Sequence, residues 1–278
     1  MSTSASAFDL DAYFARIGYS GARAATVETL HALAWHHATS IPFENLDVLL
    51  GRPIVLTPEA LMAKLVYGKR GGYCFEQNNL LRLALTALGF RLTPLGARVR
   101  WQIPREVVPA RTHLFLRVHF PEGDWMADVG LGAASLTAPL RFDFGPEQST
   151  PHEPRRLLNE GGRFFHQMKL GDDWSDVHEF TLDEMHPVDW EVANWWTSAS
   201  PTSYFRNNLA LGRALRDGTR KAIRSDGFAH RRGGEVLARQ PISSAAELHA
   251  LLTEHFDLHF PTETRFGPPG APWAQARR

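Results

Sequence analysis

An α+β protein of several domains is predicted by three observations along the 278 residues of the sequence. Apolar residues recur at helical spacing between residues 9 and 90. The apolar period changes to two from residue 91 to about residue 182, which is typical of strands. Signals for helices and hairpins alternate over the rest of the chain. A chain of this length can build two or three modest domains, each with its own core.

The first part of the chain is predicted to be a compact group of helices. Capping residues mark three helix starts, at Asp9, at Thr26 and at Thr57, where Pro58 follows at the first helical position. Gly18 stands where the first of these helices should stop. The apolar residues of each helix fall on one face, so we expect the helices to pack against one another.

The last helix of this group contains the single cysteine of the chain, within Arg70–Asn78 (RGGYCFEQN). One helix face carries the residues Cys74, Gln77, Asn78, Leu81, Leu85 and Leu88. Gly71 and Gly72 break any preceding helix, which places Cys74 at a helix start. Unpaired N–H groups and the helix dipole favour a thiolate there. A lone cysteine is more often a small buried apolar residue, so this alternative stays open.

Strands are predicted in the middle of the chain. His113, Phe115, Arg117 and His119 fall on one face of a segment over 112–120, and apolar residues fall on the other. Residues 164–170 and 174–182 flank a Gly-Asp-Asp turn as a second hairpin. Short strands of this kind indicate a small barrel or a sandwich.

The C-terminal part combines helices with a hairpin. A short tryptophan-rich helix is predicted after Pro187, and Asp217–Gly218 is a signal for a two-residue hairpin turn. Ser244 with Glu247 three residues later forms a capping box for a final helix. The tail from Pro261, rich in proline and glycine, is predicted to be loosely ordered.

Composition argues against several classes of protein. Thirty basic and thirty acidic residues balance to zero, so no global field recruits nucleic acid or an anionic membrane. A local basic patch for a phosphorylated cofactor is still allowed. The single cysteine leaves no disulfide framework and suits a reducing cytosol. The first residues lack the features of a signal peptide, and no apolar run reaches transmembrane length. A cytoplasmic location is therefore predicted, with no nucleic-acid or membrane partner.

The segment RGGYCFEQN resembles the active-site stretch of the arylamine N-acetyltransferases. Four further segments agree with that family in the same order: Ile41–Leu46 (IPFENL), Arg111–His113 (RTH), Asp128–Gly132 (DVGLG) and Ser200–Leu209 (SPTSYFRNNL). Together these segments run through most of the chain. Leu131 departs from the family, which more often has an aromatic residue there, and this concerns packing or substrate choice rather than the chemistry.

The resemblance implies a fold of three domains with a cysteine-protease-like Cys-His-Asp core. Residues 1–90 would form a helical bundle that carries the nucleophile. Residues 91–200 would form a β-barrel that carries the histidine and the aspartate. Residues 201–278 would form a smaller α/β lid.

A cysteine nucleophile needs a base that takes its proton and a third group that orients the base. The resemblance implies that Cys74 is the nucleophile, His113 the base and Asp128 the orienting carboxylate. Papain-like proteases use a similar set of groups, but their local cysteine signature is absent from this chain.

The residues alone do not build this triad. If residues 121–124 form a plain four-residue turn, Phe120 pairs with Trp125. Asp128 then faces Arg117 and not the histidine, so an ordinary cross-strand ion pair between them is the alternative interpretation. The resemblance implies instead a bulge or a shifted register in this hairpin.

The resemblance also assigns further roles. Four residues would line the acceptor pocket: Phe43, Tyr73, Val99 and Phe205. Phe43 and Phe205 could equally be core residues. Three would contact CoA, two of them glycines that let the pantetheine arm approach the backbone: Thr112, Gly130 and Gly132. Glu44 and Arg70 would form an internal ion pair behind the glycine turn. No metal is expected, because Glu254, His255 and His259 lack the further partners of a zinc site.

The function implied by the resemblance is acetyl transfer from acetyl-CoA to the nitrogen of arylamines or arylhydrazines, and to the oxygen of N-hydroxyarylamines. It would proceed by double displacement through an acetyl-cysteine thioester, in a narrow aromatic cleft that keeps water away. Two alternatives stand beside it. One is an amide synthase of the same fold that closes a macrolactam from a carrier-bound polyketide. The other is a binding protein that has kept the scaffold without turnover.

Overall fold

The computed structural model describes residues 8–267 of the chain. The N-terminal part contains the elements α1 (Leu10–Ile17), α2 (Val27–Ser40), β1 (Phe43–Glu44), α3 (Leu46–Leu49), α4 (Pro58–Leu61) and α5 (Cys74–Ala87).

Two predicted helix caps in this part are confirmed. Asp9 Oδ1 accepts a hydrogen bond from the N–H of Ala12 at 2.9 Å, and Thr26 Oγ1 accepts one from Thr29 at 3.2 Å. The helix that begins at Pro58 continues as an unpredicted π-helix over Met62–Tyr67.

The central part forms one sheet of seven antiparallel strands. Its strands are β2 (Arg91–Val99), β3 (His113–Phe120), β4 (Gly123–Ala127), β5 (Leu140–Arg141), β6 (Arg155–Glu160), β7 (Arg163–Leu170) and β8 (Asp173–Glu184). Their order is β5-β4-β3-β2-β8-β7-β6. The segment after β5 returns to β6, where Gly145 N–H donates to Leu157 O and Gln148 N–H donates to Arg155 O, both at 2.7 Å. The sheet is therefore a nearly closed barrel rather than a sandwich.

The two faces of β3 have different neighbours, as the period of two predicted. Phe115 belongs to the core inside the barrel. Leu116 and Val118 belong to the core that the sheet shares with the N-terminal helices. His113 has the parity of Phe115 and starts the strand, so it lies at one end of the barrel interior.

The register of the β3–β4 hairpin differs from the plain four-residue turn. Phe120 pairs with Gly123, which leaves a two-residue turn. Arg117 pairs with Met126, and its Nε donates to Asp124 Oδ2 at 2.6 Å. The alternative interpretation, an ion pair between Arg117 and Asp128, is therefore wrong, and the shifted register that the resemblance implied is present. Asp128 lies just beyond the end of β4, where the sheet register no longer fixes its side chain.

The C-terminal part adds helices and a second sheet. Its elements are α6 (Pro187–Ala199), α7 (Tyr204–Asn207), β9 (Ala210–Ala214), β10 (Arg220–Arg224), β11 (Gly227–Arg232), β12 (Glu235–Gln240) and α8 (Ala245–Phe256). The sheet order is β1-β9-β10-β11-β12. Strand β1 thus ties the N-terminal part to this sheet, a contact that the predicted division into three domains does not include.

Local signals in the C-terminal part were partly misleading. The predicted two-residue turn at Asp217–Gly218 is wrong, because Leu215 N–H donates to Thr219 O at 2.8 Å across a three-residue turn. Gly218 takes the left-handed conformation in this turn, with φ of 83°. The predicted cap of α8 is confirmed by a hydrogen bond of 3.2 Å from the N–H of Glu247 to Ser244 Oγ.

The tail begins in an ordered way, contrary to the prediction for the segment from Pro261. Phe266 is buried against Phe260 and the core of α8. The rest of the predicted loose tail, residues 268–278, lies outside the described residues, as do residues 1–7. Within residues 8–267, no helix combines the length and the apolar character that crossing a membrane requires.

Candidate active site

The glycine turn before α5 is dictated by close packing. A Cβ on Gly71 would lie 2.0 Å from the carbonyl oxygen of Pro42, which leaves room only for glycine. The Tyr73 N–H donates to Glu76 Oε2 at 3.0 Å, which caps the helix. Helix α5 then begins at Cys74, as predicted, and the cysteine is buried.

His113 and Asp128 meet next to this helix start. His113 Nε2 lies 2.8 Å from Asp128 Oδ2, and both side chains are fully buried. Asp128 Oδ1 accepts hydrogen bonds from Asn78 Nδ2 at 2.9 Å and from the N–H of Gly130 at 3.1 Å. Asn78 stands four residues after Cys74 on the same helix face. It therefore fixes the carboxylate relative to the sulfur.

The charges of the pair follow from burial and mutual attraction. Burial alone would lower the pKa of His113, but the Asp128 carboxylate and the adjacent Cys74 side chain raise it to about 10. Burial would raise the pKa of Asp128, yet His113 and His178 outweigh it and lower that pKa. At neutral pH the pair is an imidazolium and a carboxylate.

The sulfur lies beside the start of β3. Cys74 Sγ is 3.6 Å from the carbonyl oxygen of Thr112, the residue before His113. The side chains of Cys74 and His113 are close enough to interact. Since His113 Nε2 is bonded to Asp128, its Nδ1 is the ring nitrogen left for the sulfur. The structure thus brings Cys74, His113 and Asp128 together.

Three of the four predicted pocket residues gather around the thiol. Phe43, Tyr73 and Phe205 belong to the same apolar cluster as Cys74. The ring of Phe205 is centred 5.9 Å from that of Phe43 and 5.7 Å from that of Tyr73. Val99 is not in this cluster and lies on β2 opposite His178. Contact of these residues with an acceptor stays a prediction.

Gly130 and Gly132 have structural reasons to be glycine. A Cβ on Gly130 would lie 2.5 Å from Asn78 Nδ2 and 2.8 Å from Cys74 Cα. Gly132 has φ of 62°, and a Cβ there would lie 3.3 Å from the ring of Phe43. Packing against the start of α5 therefore explains Gly130, and the left-handed backbone beside the ring of Phe43 explains Gly132. The predicted contacts of Thr112, Gly130 and Gly132 with CoA stay untested.

Glu44 and Arg70 are bonded, in a larger cluster than the sequence indicated. Arg70 Nη2 and Nε lie 2.6 and 2.9 Å from Glu44 Oε1, and the Glu44 side chain is fully buried. Arg70 also lies 3.4 Å from Asp47. Lys64 Nζ lies 2.8 Å from both Asp47 and Glu76. Sequence reasoning missed Asp47 and Lys64, because neither stands in a glycine-rich or cysteine-bearing motif.

Two buried histidines, His178 and His166, lie behind Asp128. The sequence analysis did not predict a role for either of them. His178 Nε2 lies 3.4 Å from Asp128 Oδ2 and 3.2 Å from His166 Nδ1. Burial lowers the pKa of both histidines, that of His166 well below 6.5, so both are neutral at pH 7. The sequence contained a signal for them, since both histidines stand in strands of the predicted second hairpin. A bulge after His166 brings them opposite each other.

Two groups of residues that include histidines could be considered as metal ligands. His113, Asp128 and His178 offer ligand atoms within 4.8 Å of one another, but the carboxylate already accepts hydrogen bonds from its neighbours. In the other group, His255 stacks on Phe228 with centroids 4.3 Å apart, and His259 bonds to Asp257. These two imidazoles therefore do not converge on one point.

A helix-start cysteine beside a buried imidazole and carboxylate defines the class of cysteine-nucleophile enzymes, which includes both hydrolases and acyltransferases. Comparison with known proteins distinguishes between hydrolases and acyltransferases. Residues 26–265 match the family described as N-acetyltransferase. The chain is 41% identical over 249 residues to the arylamine N-acetyltransferase of Escherichia coli K12, covering 90% of this chain and 88% of that protein.

Two further relatives agree. The arylamine N-acetyltransferase / N-hydroxyarylamine O-acetyltransferase of Salmonella typhimurium is 38% identical over 249 residues, covering 90% of this chain and 88% of that protein. The solved structure of the Mycobacterium marinum arylamine N-acetyltransferase in complex with CoA has a TM-score of 0.85 and 38% identity, covering 90% of this chain and 92% of that one. This chain belongs to the arylamine N-acetyltransferase family.

Proposed function

We propose that this protein transfers the acetyl group of acetyl-CoA to the nitrogen of an arylamine or arylhydrazine, through an acetyl thioester on Cys74. The observation that carries the proposal is the buried His113–Asp128 pair beside a cysteine at the start of α5. Family membership supports the same donor and acceptor. The name of the Salmonella relative supports acetyl transfer to the oxygen of N-hydroxyarylamines as a further activity.

In the first half-reaction Cys74 Sγ attacks the carbonyl carbon of the acetyl thioester. The imidazolium of His113 stabilises the sulfur as a thiolate before the attack. As the tetrahedral intermediate collapses, the bond to the CoA sulfur breaks, and His113 Nδ1 supplies the proton that makes it a thiol. One thioester replaces another, so this step costs almost no free energy. A serine would form a more stable oxygen ester and give up part of the driving force for amide formation.

In the second half-reaction the acceptor nitrogen attacks the acetyl group on Cys74. His113 Nδ1 now takes the proton of the amine, and the Cys74 thiolate leaves. Asp128 holds the imidazole through Nε2 in both steps and stabilises its cationic form. The neutral His178 adds a hydrogen bond to the same carboxylate.

The acceptor side of the site is proposed to be the aromatic cluster next to the thiol. Phe43, Tyr73 and Phe205 present ring faces and edges within one apolar group that includes Cys74. Such a surface suits an aryl ring and excludes water, which would otherwise hydrolyse the acetyl-enzyme. The single cysteine must stay reduced to act, which supports a cytoplasmic location.

Intact mass spectrometry of the protein with acetyl-CoA and no amine tests the proposal. We expect the mass of one acetyl group to appear on the wild type and not on Cys74→Ser. Addition of an arylamine should remove it and release the acetylated amine. Acylation of Cys74 by a carrier-linked chain but not by acetyl-CoA would favour an amide synthase instead. Absence of any adduct would favour a binding protein.

A further inference from the structure

A groove of about 440 Å³ runs between the rim of the barrel and helix α6. Its barrel side combines residues just before β3 with residues at and after the end of β8, namely Ala110, Arg111, Thr112, Glu184 and Met185. Its helix side is one face of α6, with Asp189, Val192, Ala193 and Trp196. We call this space the α6 groove.

The inner end of the α6 groove borders the thiol. The carbonyl oxygen of Thr112 lies 3.6 Å from Cys74 Sγ. Met185 and Ala193 line the groove and also belong to the apolar cluster that contains Cys74 and Tyr73. The groove therefore continues the proposed acceptor site outward, along α6.

Two carboxylates lie at the mouth of the groove. The side chains of Glu184 and Asp189 are both exposed. Asp189 Oδ2 accepts a hydrogen bond of 3.0 Å from the N–H of His186 at the start of α6, and Glu184 Oε1 lies 3.7 Å from His186 Nδ1. Within residues 8–267, neither carboxylate forms an ion pair with an arginine or a lysine. Both charges therefore face the groove and the solvent.

The one guanidinium group of the groove is held at the barrel side. Arg111 Nε lies over Gly96 of β2, where a Cβ would come within 2.6 Å of it. Arg111 Nη2 donates to the carbonyl oxygen of Asp183 at 3.2 Å. One positive charge thus stands against two negative charges. In a chain of zero net charge, this excess of negative charge makes the groove a local site for a cation.

The helix side offers an aromatic surface for such a cation. Trp196 and Val192 are both exposed apolar side chains that line the groove. On the same helix, the ring of the buried Trp190 already has the guanidinium group of Arg82 over it, 5.4 Å from the centroid. The indole of Trp196 has no such cation among the residues that the structure describes. Indole faces attract cations, and quaternary ammonium groups bind to them especially well.

We propose that the α6 groove binds a cationic substituent of the acceptor, so that the protein prefers arylamines that carry an ammonium group away from the reacting nitrogen. This inference rests on the proposed function and names the class of acceptor. The aryl ring lies in the aromatic cluster, with its amine at the acetyl group on Cys74. The cation lies over Trp196, near the carboxylates of Glu184 and Asp189. Neutral and anionic acceptors lack this attraction.

The test compares two acceptors of the same shape that differ in one charge. One is 4-(trimethylammoniomethyl)aniline, whose quaternary nitrogen has no N–H and cannot be acetylated. The other is 4-neopentylaniline, in which a carbon replaces the charged nitrogen. With acetyl-CoA as donor, the ratio of kcat/KM for the cationic over the neutral aniline should be about tenfold lower in E184Q/D189N than in the wild type, at about threefold for each exposed carboxylate. Comparison of ratios cancels the difference in intrinsic reactivity between the two anilines.

The control variant E191Q/E254Q removes the same charge from exposed positions outside the groove, one of them on α6. Its ratio should equal that of the wild type. W196L should lower the ratio about threefold, because the cation loses the indole face. The anionic acceptor 4-aminophenylacetate should react faster with E184Q/D189N than with the wild type. Acetylation of Cys74 by acetyl-CoA alone should be unchanged in all of these variants.

A binding measurement keeps the test independent of turnover. In an NMR titration of Cys74→Ser, followed by the indole N–H signal of Trp196, the Kd of the cationic aniline should be about tenfold lower than that of 4-neopentylaniline. If Cys74 is never acetylated, the proposed function fails, and this titration still reports on the groove.

Three results would overturn the proposal. The first is an unchanged ratio, or an equal loss with both anilines, in E184Q/D189N. The second is equal Kd values for the two anilines in the titration. The third is a dimer in solution that W196L dissociates, because a second copy of the chain would then cover the groove.

Discussion

Two buried ionic clusters border the first turn of α5, and they differ in how their charged groups are paired. The triad cluster consists of Cys74, His113 and Asp128, and the clamp cluster consists of Glu44, Asp47, Lys64, Arg70 and Glu76. In the clamp cluster each of the two cations contacts two carboxylates. In the triad cluster the imidazole contacts one carboxylate through Nε2 and leaves Nδ1 toward the sulfur.

This difference separates a fixed charge from a movable proton. Burial would lower the pKa of Lys64, but Glu76 and the other carboxylates outweigh it and raise the pKa above its usual value, so the proton stays in place. The clamp cluster also positions the helix start, because Glu76 accepts the hydrogen bond of the Tyr73 N–H. Similar burial therefore yields stability in one cluster and reactivity in the other. The predictions below separate the two.

The largest effect is expected for Asp128→Asn. The amide keeps the shape of the side chain but removes the charge that holds His113 as a cation, so acetylation of Cys74 should slow by about 10³–10⁴. Single-turnover mass spectrometry with acetyl-CoA measures this rate. The control is Asp124→Asn, whose carboxylate pairs with Arg117 on the same hairpin. If both variants lose the same activity, Asp128 has no special role.

A loss of stability without a loss of chemistry is expected for Arg70→Met. Breaking the buried pair leaves the Glu44 carboxylate without its main cation, which should lower the free energy of unfolding by about 3–5 kcal/mol. The acetylation rate of the protein that remains folded should stay within a few-fold of the wild type. Arg52→Met is the matched control, because Arg52 contacts Asp47 from an exposed position and should cost under about 1 kcal/mol.

Two results would contradict this assignment. An unchanged denaturant midpoint for Arg70→Met would show that the pair contributes little. Loss of acetylation at unchanged stability would show that Arg70 contributes to the reaction at Cys74 and not to the stability of the clamp cluster.

A smaller effect is expected in the pH dependence of stability. The pKa of His113 is raised to about 10 in the folded protein, above its unfolded value of 6.5. The stabilisation from this group is therefore complete below pH 6.5 and is lost as the pH rises toward 10. Melting curves of the wild type should lose a few degrees across this window relative to His113→Gln. Parallel curves for the two proteins would mean that His113 does not gain a proton on folding.

The parts of the site that the sequence predicted are those with local causes. The start of α5 follows from two glycines and a capping glutamate, all within six residues of Cys74. The barrel hairpin over 163–184 follows from alternation and a glycine turn. Such signals act within one element, and no knowledge of its neighbours is needed to interpret them.

The parts that escaped prediction depend on contacts between distant segments. The register of β3–β4 places Phe120 opposite Gly123, and the residues of the turn alone did not reveal it. Lys64 joins Asp47 to Glu76 because a π-helix and a glycine turn bring three segments together. Arg239 of β12 comes to lie opposite Ala229 of β11 only through a strand pairing that contains a bulge. Sequence patterns indicate which residues are unusual, but not which of them meet.

The smallest effect in the triad cluster is expected behind Asp128, at His178. Its hydrogen bond to the carboxylate is long, at 3.4 Å, so its removal in His178→Leu should slow acetylation only about five- to tenfold. The slowing should be the same for acetyl-CoA and for S-acetylpantetheine, because the residue acts through Asp128 and not through the donor. His178→Gln keeps an N–H donor of similar reach and should restore most of the rate. If the glutamine variant is as slow as the leucine variant at matched melting temperature, the contribution of His178 is packing. If the leucine variant is as fast as the wild type, Asn78 and Gly130 suffice to hold the carboxylate.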